Sequence, residues 1–294
     1  MGRTRWVAAG ISLALLGEAG WGVAAESRTG APRPNECSGP SEIVAGSLDT
    51  STTLRLSLNV PAYRLDVIER HSVTRSIPVA VGQPKFRTPL GHFRIDYVVW
   101  NPWWHPPASE WARKERPKAP GWLNPVGRVK MHVTGLVFLH GTPLDASLGT
   151  AASHACVRMS NADAIDLARL VHEHAGPPEP PTLLDKLVAD TARTRTLVLS
   201  RAVPVDIEYV LAEVRGDDLV IYIDVYRYAG SRVPAVQQQA LRALREVRDD
   251  RMVIDSARLR ALVRSARRAT VRLPLDSLFF ADAAPAGPPL ARAR

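Results

Sequence analysis

The sequence places one thiol and two imidazoles at a spacing that suggests acyl-transfer chemistry. Cys156 is one of only two cysteines, His154 precedes it by two residues, and His140 lies sixteen residues upstream. Free cysteine has a pKa of about 8.5, and only its thiolate attacks a carbonyl well. An imidazole that is close in space, though distant in sequence, can remove the thiol proton. The pattern therefore predicts a Cys–His enzyme with a covalent acyl intermediate.

The second cysteine, Cys37, could form a disulfide with Cys156. Cys37 lies in the Pro- and Gly-rich segment R-P-N-E-C-S-G-P. In an oxidising compartment, a disulfide between Cys37 and Cys156 is the default interpretation, and it would block the nucleophile. A chain of 294 residues can build a core without such a covalent link. We therefore expect Cys156 to carry a free thiol.

The elements that must position these groups are mostly strands. Apolar and polar residues alternate through much of the stretch between Ser47 and Val99 and again from Arg128 to Leu139. This period predicts a meander of short antiparallel strands. His140 then falls where a strand leaves the sheet, a place where site residues are often displayed. Downstream, Ser160 and Asn161 provide an N-cap for a helix predicted over residues 162–174.

A tryptophan-rich segment interrupts the strands. Residues 100–127 hold five of the seven tryptophans and many prolines. A long irregular loop inside a compact domain is more often functional than not. Trp103 and Trp104 are predicted to form one wall of a cleft and to stack on sugar or peptide. The alternative is that these rings only fix the loop to the sheet.

The N-terminus resembles a targeting segment. Arg3 and Arg5 precede an apolar stretch, Trp6–Leu16, and small residues at Val23–Ala25 suit a cleavage site. We predict a signal peptide over residues 1–25 and a linker over 26–47, with export to the periplasm or cell envelope. An uncleaved membrane anchor is the alternative, but the apolar run is short for a membrane span.

The C-terminus is strongly basic. Residues 231–294 carry thirteen arginines against six acidic residues, and two amphipathic patterns cover 235–248 and 255–268. We predict a basic helical extension over residues 229–294. A solvated pair of helices is the simpler interpretation, and contact with an anionic polymer or membrane surface is the alternative. No nucleic-acid-binding motif accompanies the charge, so nucleic acid is not an expected partner.

An ordered set of short segments carries a family resemblance. In chain order they are I-P-V-A-V-G-Q-P, T-P-L-G-H-F-R-I, N-P-W-W-H-P-P, L-N-P-V-G, L-H-G-T and S-H-A-C-V-R-M-S-N-A-D. Together they resemble the L,D-transpeptidase catalytic domain family, also called YkuD or ErfK-like. The resemblance spans roughly residues 50–228. It implies a mainly β catalytic domain over residues 48–228, with its core in 50–175: a β-sandwich with one or two packed helices.

The resemblance also assigns roles. Cys156 would be the nucleophile and His140 the base, oriented through the carbonyl of Gly141. Supporting residues would be Ser153, His154 and Ala155, with the N–H groups of Ala155 and Cys156 as oxyanion donors. Substrate contacts would come from Arg158, Asn161, Trp103 and Trp104. For Arg158 the alternative is a structural salt bridge. No metal or cofactor is implied.

Residue 155 departs from the family pattern, which has glycine between the histidine and the cysteine. If the backbone there requires a positive φ, Ala155 is strained by about 1 kcal/mol or more. If φ is negative, the methyl group only narrows the pocket. Strain would make the enzyme weak or specialised.

The resemblance implies a peptidoglycan tetrapeptide stem as donor. The thiol would attack the carbonyl of the third residue and release D-alanine. The acyl group would pass to an amine of another stem or of a cell-envelope protein. Water as acceptor would make the enzyme an L,D-carboxypeptidase. A non-catalytic wall-binding module and an exported cysteine peptidase of another fold are further alternatives. An activated Cys156 should react with iodoacetamide well below pH 8.

Overall fold

A computed structural model describes residues 54–178, 180, 182–228, 233–247 and 252–281. The predicted signal peptide and linker, and Cys37, lie outside these residues. The strands are β1 Leu54–Asn59, β2 Arg64–Glu69, β3 Ser72–Pro78, β4 Val81–Gly82, β5 Gly91–Trp100, β6 Val129–Thr134, β7 Val137–Thr142, β8 Ala151–Ser153, β9 Val157–Ser160, β10 Arg195–Glu208, β11 Ala212–Arg215, β12 Asp218–Ile221, β13 Met252–Ile254, β14 Val271–Pro274 and β15 Phe279–Ala281. The helices are α1 Asn161–Ala175, α2 Thr182–Ala189, α3 Val233–Val247 and α4 Ser256–Ser265.

Eight strands form the main sheet, in the order β3-β2-β1-β10-β5-β6-β7-β9. Two antiparallel meanders, β1–β3 and β5–β7, are joined by β10, which runs parallel to β1 and antiparallel to β5. The last strand, β9, pairs in parallel with β7. The prediction of a mainly β fold is confirmed.

One face of this sheet packs against α1. Val129 and Met131 of β6 are buried in the same core cluster as Leu167 and Val171 of α1. Because side chains alternate across a strand, the residue between the first two, Lys130, lies on the opposite face. The helix begins after Ser160, whose side chain accepts a hydrogen bond from the backbone N–H of Asp163. The predicted N-cap is therefore present.

A second, smaller core lies under the C-terminal helices. It is built from the sheet β11-β12-β14 and from α3 and α4, and its buried residues include Leu219, Leu244 and Leu259. Both predicted helices occur, but β13, β14 and β15 accompany them, so the extension is not purely helical. Strand β14 pairs with β12, which precedes residue 229. The predicted boundary at 228 therefore does not separate two independent folds, since the hydrogen-bonded ladder crosses it.

None of the helices within the described residues is long and apolar enough to cross a lipid bilayer.

Candidate active site

A row of side chains crosses the sheet on the face away from α1. The strand register pairs Val99 with Lys130, Lys130 with His140, and His140 with Arg158. Directly paired residues on neighbouring strands have Cβ atoms about 5 Å apart. The row therefore sets one cation on each side of the imidazole of His140.

His140 is buried, with 3% of its surface exposed. Its Nδ1 lies 2.7 Å from the carbonyl oxygen of Gly141 and must donate to it, because a carbonyl can only accept. The lone pair is therefore on Nε2. Burial lowers the pKa of His140 to about 4, and the charges of Arg158 and Lys130 act in the same direction. The imidazole is neutral at pH 7 and can accept a proton.

Cys156 lies immediately before β9 and has a free thiol. Its Sγ donates a hydrogen bond to the carbonyl oxygen of Leu136, 3.3 Å away. Burial raises the pKa of the thiol, and a backbone hydrogen bond at Phe138 and the charges of Arg158 and Lys130 offset this only in part.

Thiol and imidazole are therefore both neutral at rest. Reaction of Cys156 with iodoacetamide well below pH 8 stays a prediction, and burial, which favours the protonated thiol, opposes it. A protonated thiol becomes a good nucleophile only when a base removes its proton. The base must then act during the attack.

The turn before Cys156 is stabilised by hydrogen bonds of the buried Ser153. Ser153 is fully buried, and its hydroxyl donates to the carbonyl of Cys156. The carbonyl of Ser153 accepts from the N–H of Gln83 at 2.9 Å. Ser153 therefore fixes the shape of the turn.

His154 is packed between two aromatic rings. Its ring centroid lies 3.8 Å from that of Trp111, with the two planes nearly parallel, and 4.6 Å from that of Phe86. Burial lowers its pKa, and the charge of Arg158 adds to the effect. The stack fastens the tryptophan-rich segment to the turn that carries Cys156.

Ala155 has a backbone φ of +77°, so the strained alternative is the observed one. Its carbonyl accepts from the hydroxyl of Thr88 at 3.0 Å. The Thr88 N–H in turn donates to the hydroxyl of Tyr226 at 2.9 Å, and that hydroxyl donates to the carbonyl of Gly82 at 2.9 Å. The N–H of Gly82 closes the network on the Thr88 hydroxyl. This buried network supports the strained residue.

Replacing Ala155 with glycine is expected to raise the free energy of unfolding by about 1 kcal/mol, because glycine adopts positive φ without Cβ strain. Urea unfolding measures this. Ala152→Gly, in the extended strand β8, is the matched control and should instead lower stability by about 0.5–1 kcal/mol. Equal changes in the two variants would contradict the strain at residue 155.

Replacing Tyr226 with phenylalanine is expected to lower the free energy of unfolding by about 1–3 kcal/mol, because the Thr88 N–H and the Gly82 carbonyl lose a buried partner. The alkylation rate of Cys156 should change as well, since the turn loses part of its support. Tyr228→Phe, at a residue 47% exposed, is the control. A stable variant with unchanged alkylation would show that the network does not position the turn.

Asn161 differs from its predicted substrate-binding role. It is 8% exposed, its Oδ1 accepts from the N–H of Arg128 at 2.9 Å, and its Nδ2 donates to the carbonyls of Thr142 (3.2 Å) and Trp122 (3.4 Å). A Cβ added at Gly141 would lie 2.3 Å from that Oδ1. The side-chain amide of Asn161 therefore binds the backbone that follows His140. Gly141 leaves space for this amide because it has no Cβ.

Trp103 and Trp104, the two tryptophans predicted to contact substrate, lie in different surroundings. Trp103 is 47% exposed and lines a cavity together with His105 and Lys130. Trp104 is covered by Lys118, whose Nζ lies 5.1 Å from the ring centroid. Of the pair, Trp103 is therefore the one that borders the row of site residues.

The two cations of the row have no acidic partner among the residues that the structure describes. In the described part of the chain no carboxylate pairs with Arg158 or Lys130, and the Nε of Arg158 is buried without a partner. The structural salt bridge considered for Arg158 is therefore not observed in that part. Burial lowers the pKa of both groups, so an anionic ligand would relieve a cost already present in the fold.

Lys130, Trp111 and Tyr226 were not predicted as site residues. The alternation around Lys130 indicated that it faces away from the core, but not which residues share that face. Trp111 stood out only as one tryptophan among several. No local signal connects Tyr226 to residue 155. Among the described residues no three His, Cys, Asp or Glu side chains converge on a metal site.

The arrangement can perform acyl transfer on an anionic substrate. It has a thiol, a neutral imidazole with a fixed tautomer, and one cation on each side of that imidazole. The N–H groups of Ala155 and Cys156 donate to no acceptor within the described residues, so they are free to bind an oxyanion.

Comparison with known proteins places these residues in context. A family model for the L,D-transpeptidase catalytic domain, YkuD, matches residues 55–205. The YkuD proteins of Bacillus subtilis and Bacillus licheniformis are each 29% identical over 134 residues, which is 45% of this chain and 70% of theirs. A solved L,D-transpeptidase from Mycobacterium smegmatis is 18% identical with a TM-score of 0.36, and the match covers 53% of this chain and 58% of that one.

Proposed function

The chain belongs to the L,D-transpeptidase catalytic domain family, and from this premise we propose that it is an exported, cysteine-dependent L,D-transpeptidase of peptidoglycan. Its donor is a tetrapeptide stem, from which it removes the terminal D-alanine. The acceptor is an amine, on a second stem or on a protein of the cell envelope. The observation that supports this best is the neutral His140, whose Nδ1 is fixed by Gly141 and whose Nε2 is free to take a proton.

The first half-reaction makes a thioester. The Sγ of Cys156 attacks the carbonyl carbon of the third stem residue while His140 Nε2 takes the thiol proton. The negative oxygen of the tetrahedral intermediate accepts hydrogen bonds from the N–H groups of Ala155 and Cys156. When the C–N bond breaks, the imidazolium returns the proton to the amine of the departing D-alanine.

The second half-reaction uses the same groups in reverse order. The nitrogen of the acceptor amine attacks the thioester carbonyl, and His140 takes a proton from that amine. The new amide forms, the C–S bond breaks, and the proton returns to Sγ of Cys156. With water as acceptor the same steps release a shortened stem that ends in a carboxylate and regenerate the thiol.

Arg158 is proposed to hold a carboxylate of the stem. Its guanidinium is partly buried and, among the described residues, has no acidic partner. A planar guanidinium binds a carboxylate through two parallel hydrogen bonds, which fixes both position and orientation. This contact would align the scissile carbonyl with Cys156.

Export is part of the same proposal. The stretch formed by Arg3, Arg5 and the apolar run Trp6–Leu16 has the composition of a secretion signal. Cross-linked stems lie outside the cytoplasmic membrane, so an enzyme acting on them must leave the cytoplasm. Fractionation of cells that carry the full-length chain would locate the mature protein, and a cytoplasmic location would contradict this part.

The proposed function is tested by comparing muropeptides. Cells expressing the protein should gain 3–3 cross-links, shortened stems or stem-linked proteins, and cells expressing Cys156→Ala should not. Which product accumulates identifies the acceptor as a stem, water or a protein. If all three product classes are the same with both proteins, the enzymatic proposal fails and a wall-binding module is favoured.

A further inference from the structure

Helix α4 and the turn that follows it present a row of arginines to solvent. Residues 256–268 contain five arginines and no acidic residue. Leu259 and Val263 are buried in the second core, so they mark the inward side of the helix. The outward side carries four exposed arginines, which we call the arginine face: Arg260, Arg264, Arg267 and Arg268.

The backbone places these arginines on one ridge. Residues four apart in an α-helix lie on the same side, about 6 Å apart along the axis, and Arg260 and Arg264 have this spacing. The chain keeps turning after α4 ends at Ser265. The N–H of Arg267 donates to the carbonyl of Arg264 at 3.4 Å, and the N–H of Arg268 donates to the carbonyl of Ser265 at 3.2 Å. The last two arginines therefore extend the side that the first two begin.

Within the part of the chain that the structure describes, no acid balances the charge of the arginine face. Its four residues take part in none of the ion pairs found there. Other surface arginines are paired: Arg169 contacts Asp185, and Arg272 contacts Asp218. Like charges one turn apart on a helix repel each other. An anionic ligand would therefore relieve an unfavourable interaction on this face.

The surroundings of the arginine face favour a polymer over a lipid bilayer. A helix that lies in a membrane surface inserts apolar side chains into the lipid beside its cationic ones. The apolar side chains of α4 pack in the second core instead, and from residue 253 to residue 279 no large hydrophobic side chain is exposed. A planar guanidinium binds a carboxylate through two parallel hydrogen bonds. A hydrated polymer with repeated carboxylates therefore fits this surface.

We propose that the arginine face is a second peptidoglycan-binding surface, which binds the free carboxylates of stems other than the one being cleaved. The inference rests on the proposed function, which supplies the polymer, since each stem that ends in D-alanine carries a terminal carboxylate. The arginine face belongs to the second core, whereas His140 and Arg158 lie on the main sheet. The contact is therefore separate from the one assigned to Arg158. Several weak contacts with one polymer keep the enzyme close to further stems.

Co-sedimentation of the full-length Cys156→Ala protein with purified, insoluble peptidoglycan tests this inference without turnover. Glutamine at all four positions of the arginine face should weaken binding about tenfold at low salt, because four exposed ion pairs are lost. Amidating the carboxylates of the peptidoglycan, or raising the salt from about 0.05 M to about 0.5 M, should weaken binding of the protein with the intact face to a similar extent. The matched control removes the same charge from exposed arginines in or beside the main sheet and should bind within about twofold of the protein with the intact face: Arg70, Arg94, Arg195 and Arg201, each changed to glutamine.

Equal binding by the arginine-face variant and the control variant would overturn the inference, as would equal binding to native and amidated peptidoglycan. Binding to phosphatidylglycerol vesicles but not to peptidoglycan would also overturn it, and would identify a membrane surface as the partner. If the fourfold variant folds poorly, Arg264→Gln combined with Arg268→Gln should still weaken binding about threefold.

Release of D-alanine from a soluble tetrapeptide by the unsubstituted enzyme is measured in parallel. If D-alanine is released but the arginine-face and control variants bind peptidoglycan equally, this inference fails and the proposed function stands. If no D-alanine is released, the proposed function fails, and the binding comparison still decides whether the arginine face holds peptidoglycan.

Discussion

Replacing Cys156 with alanine is expected to reduce D-alanine release from a tetrapeptide stem by about 10⁴-fold or more. Loss of a covalent nucleophile removes the thioester route, and what is left is the small rate enhancement from binding and the oxyanion donors. The measurement is mass spectrometry of the stem and of the protein. The unsubstituted enzyme should gain the mass of an acyl group, and Cys156→Ala should not.

The other cysteine provides the control for this prediction. Cys37→Ala should retain full activity and the same acyl adduct, because the proposed nucleophile is Cys156, which directly precedes the strand that pairs with the strand of His140. The thermal stability of Cys156→Ala should stay close to that of the parent, since only a weak thiol hydrogen bond to Leu136 is lost. Loss of activity in Cys37→Ala would show that the nucleophile, or its redox state, has been misassigned.

Replacing His140 with glutamine is expected to lower turnover by about 10³-fold and to change its pH dependence. Without a base, only the fraction of Cys156 already ionised can attack. Burial raises the pKa of the thiol, so the residual rate should increase about tenfold per pH unit through neutral and mildly alkaline pH. The parent enzyme should instead lose activity on the acid side as pH falls through about 4, where His140 becomes protonated.

His132→Gln is the matched control, because His132 lies on the adjacent strand and stacks on Tyr97 with centroids 4.9 Å apart. It should keep the pH profile of the parent, measured as D-alanine release from pH 3.5 to 9. A His140→Gln enzyme whose rate does not vary with pH would exclude His140 as the base that activates the thiol.

The sequence predicted the local features of this site well, because local patterns decide them. Alternation at Leu54, Leu56 and Leu58 correctly indicated a half-buried strand, and Ser160 correctly indicated a helix start. The prediction that His140 lies where a strand leaves the sheet was wrong, because β7 continues to Thr142 and stays paired with β9 beyond His140. For residue 155 the sequence leaves a positive and a negative φ open, and the backbone adopts the positive one.

Features set by distant pairing were not predictable from such patterns. Alternation shows which face a residue occupies but not which strand lies beside it, so the insertion of β10 between β1 and β5 could not be foreseen. The placement of Lys130 beside His140 depends on the same kind of register. The family resemblance predicts that Asn161 contacts substrate, whereas its amide binds backbone groups from two other segments.

The hydrogen-bonded pairing of β14 with β12 covers one edge of β12 in the smaller sheet. With β14 in place, one side of β12 has its N–H and C=O groups paired from Asp218 to Ile221. A chain shortened after residue 228 would lose that partner and present an open, largely apolar strand edge. Such edges recruit strands from other molecules and promote aggregation. Strand β14 therefore covers the edge of the strand that leads to Tyr226, whose hydroxyl belongs to the hydrogen-bond network under Ala155.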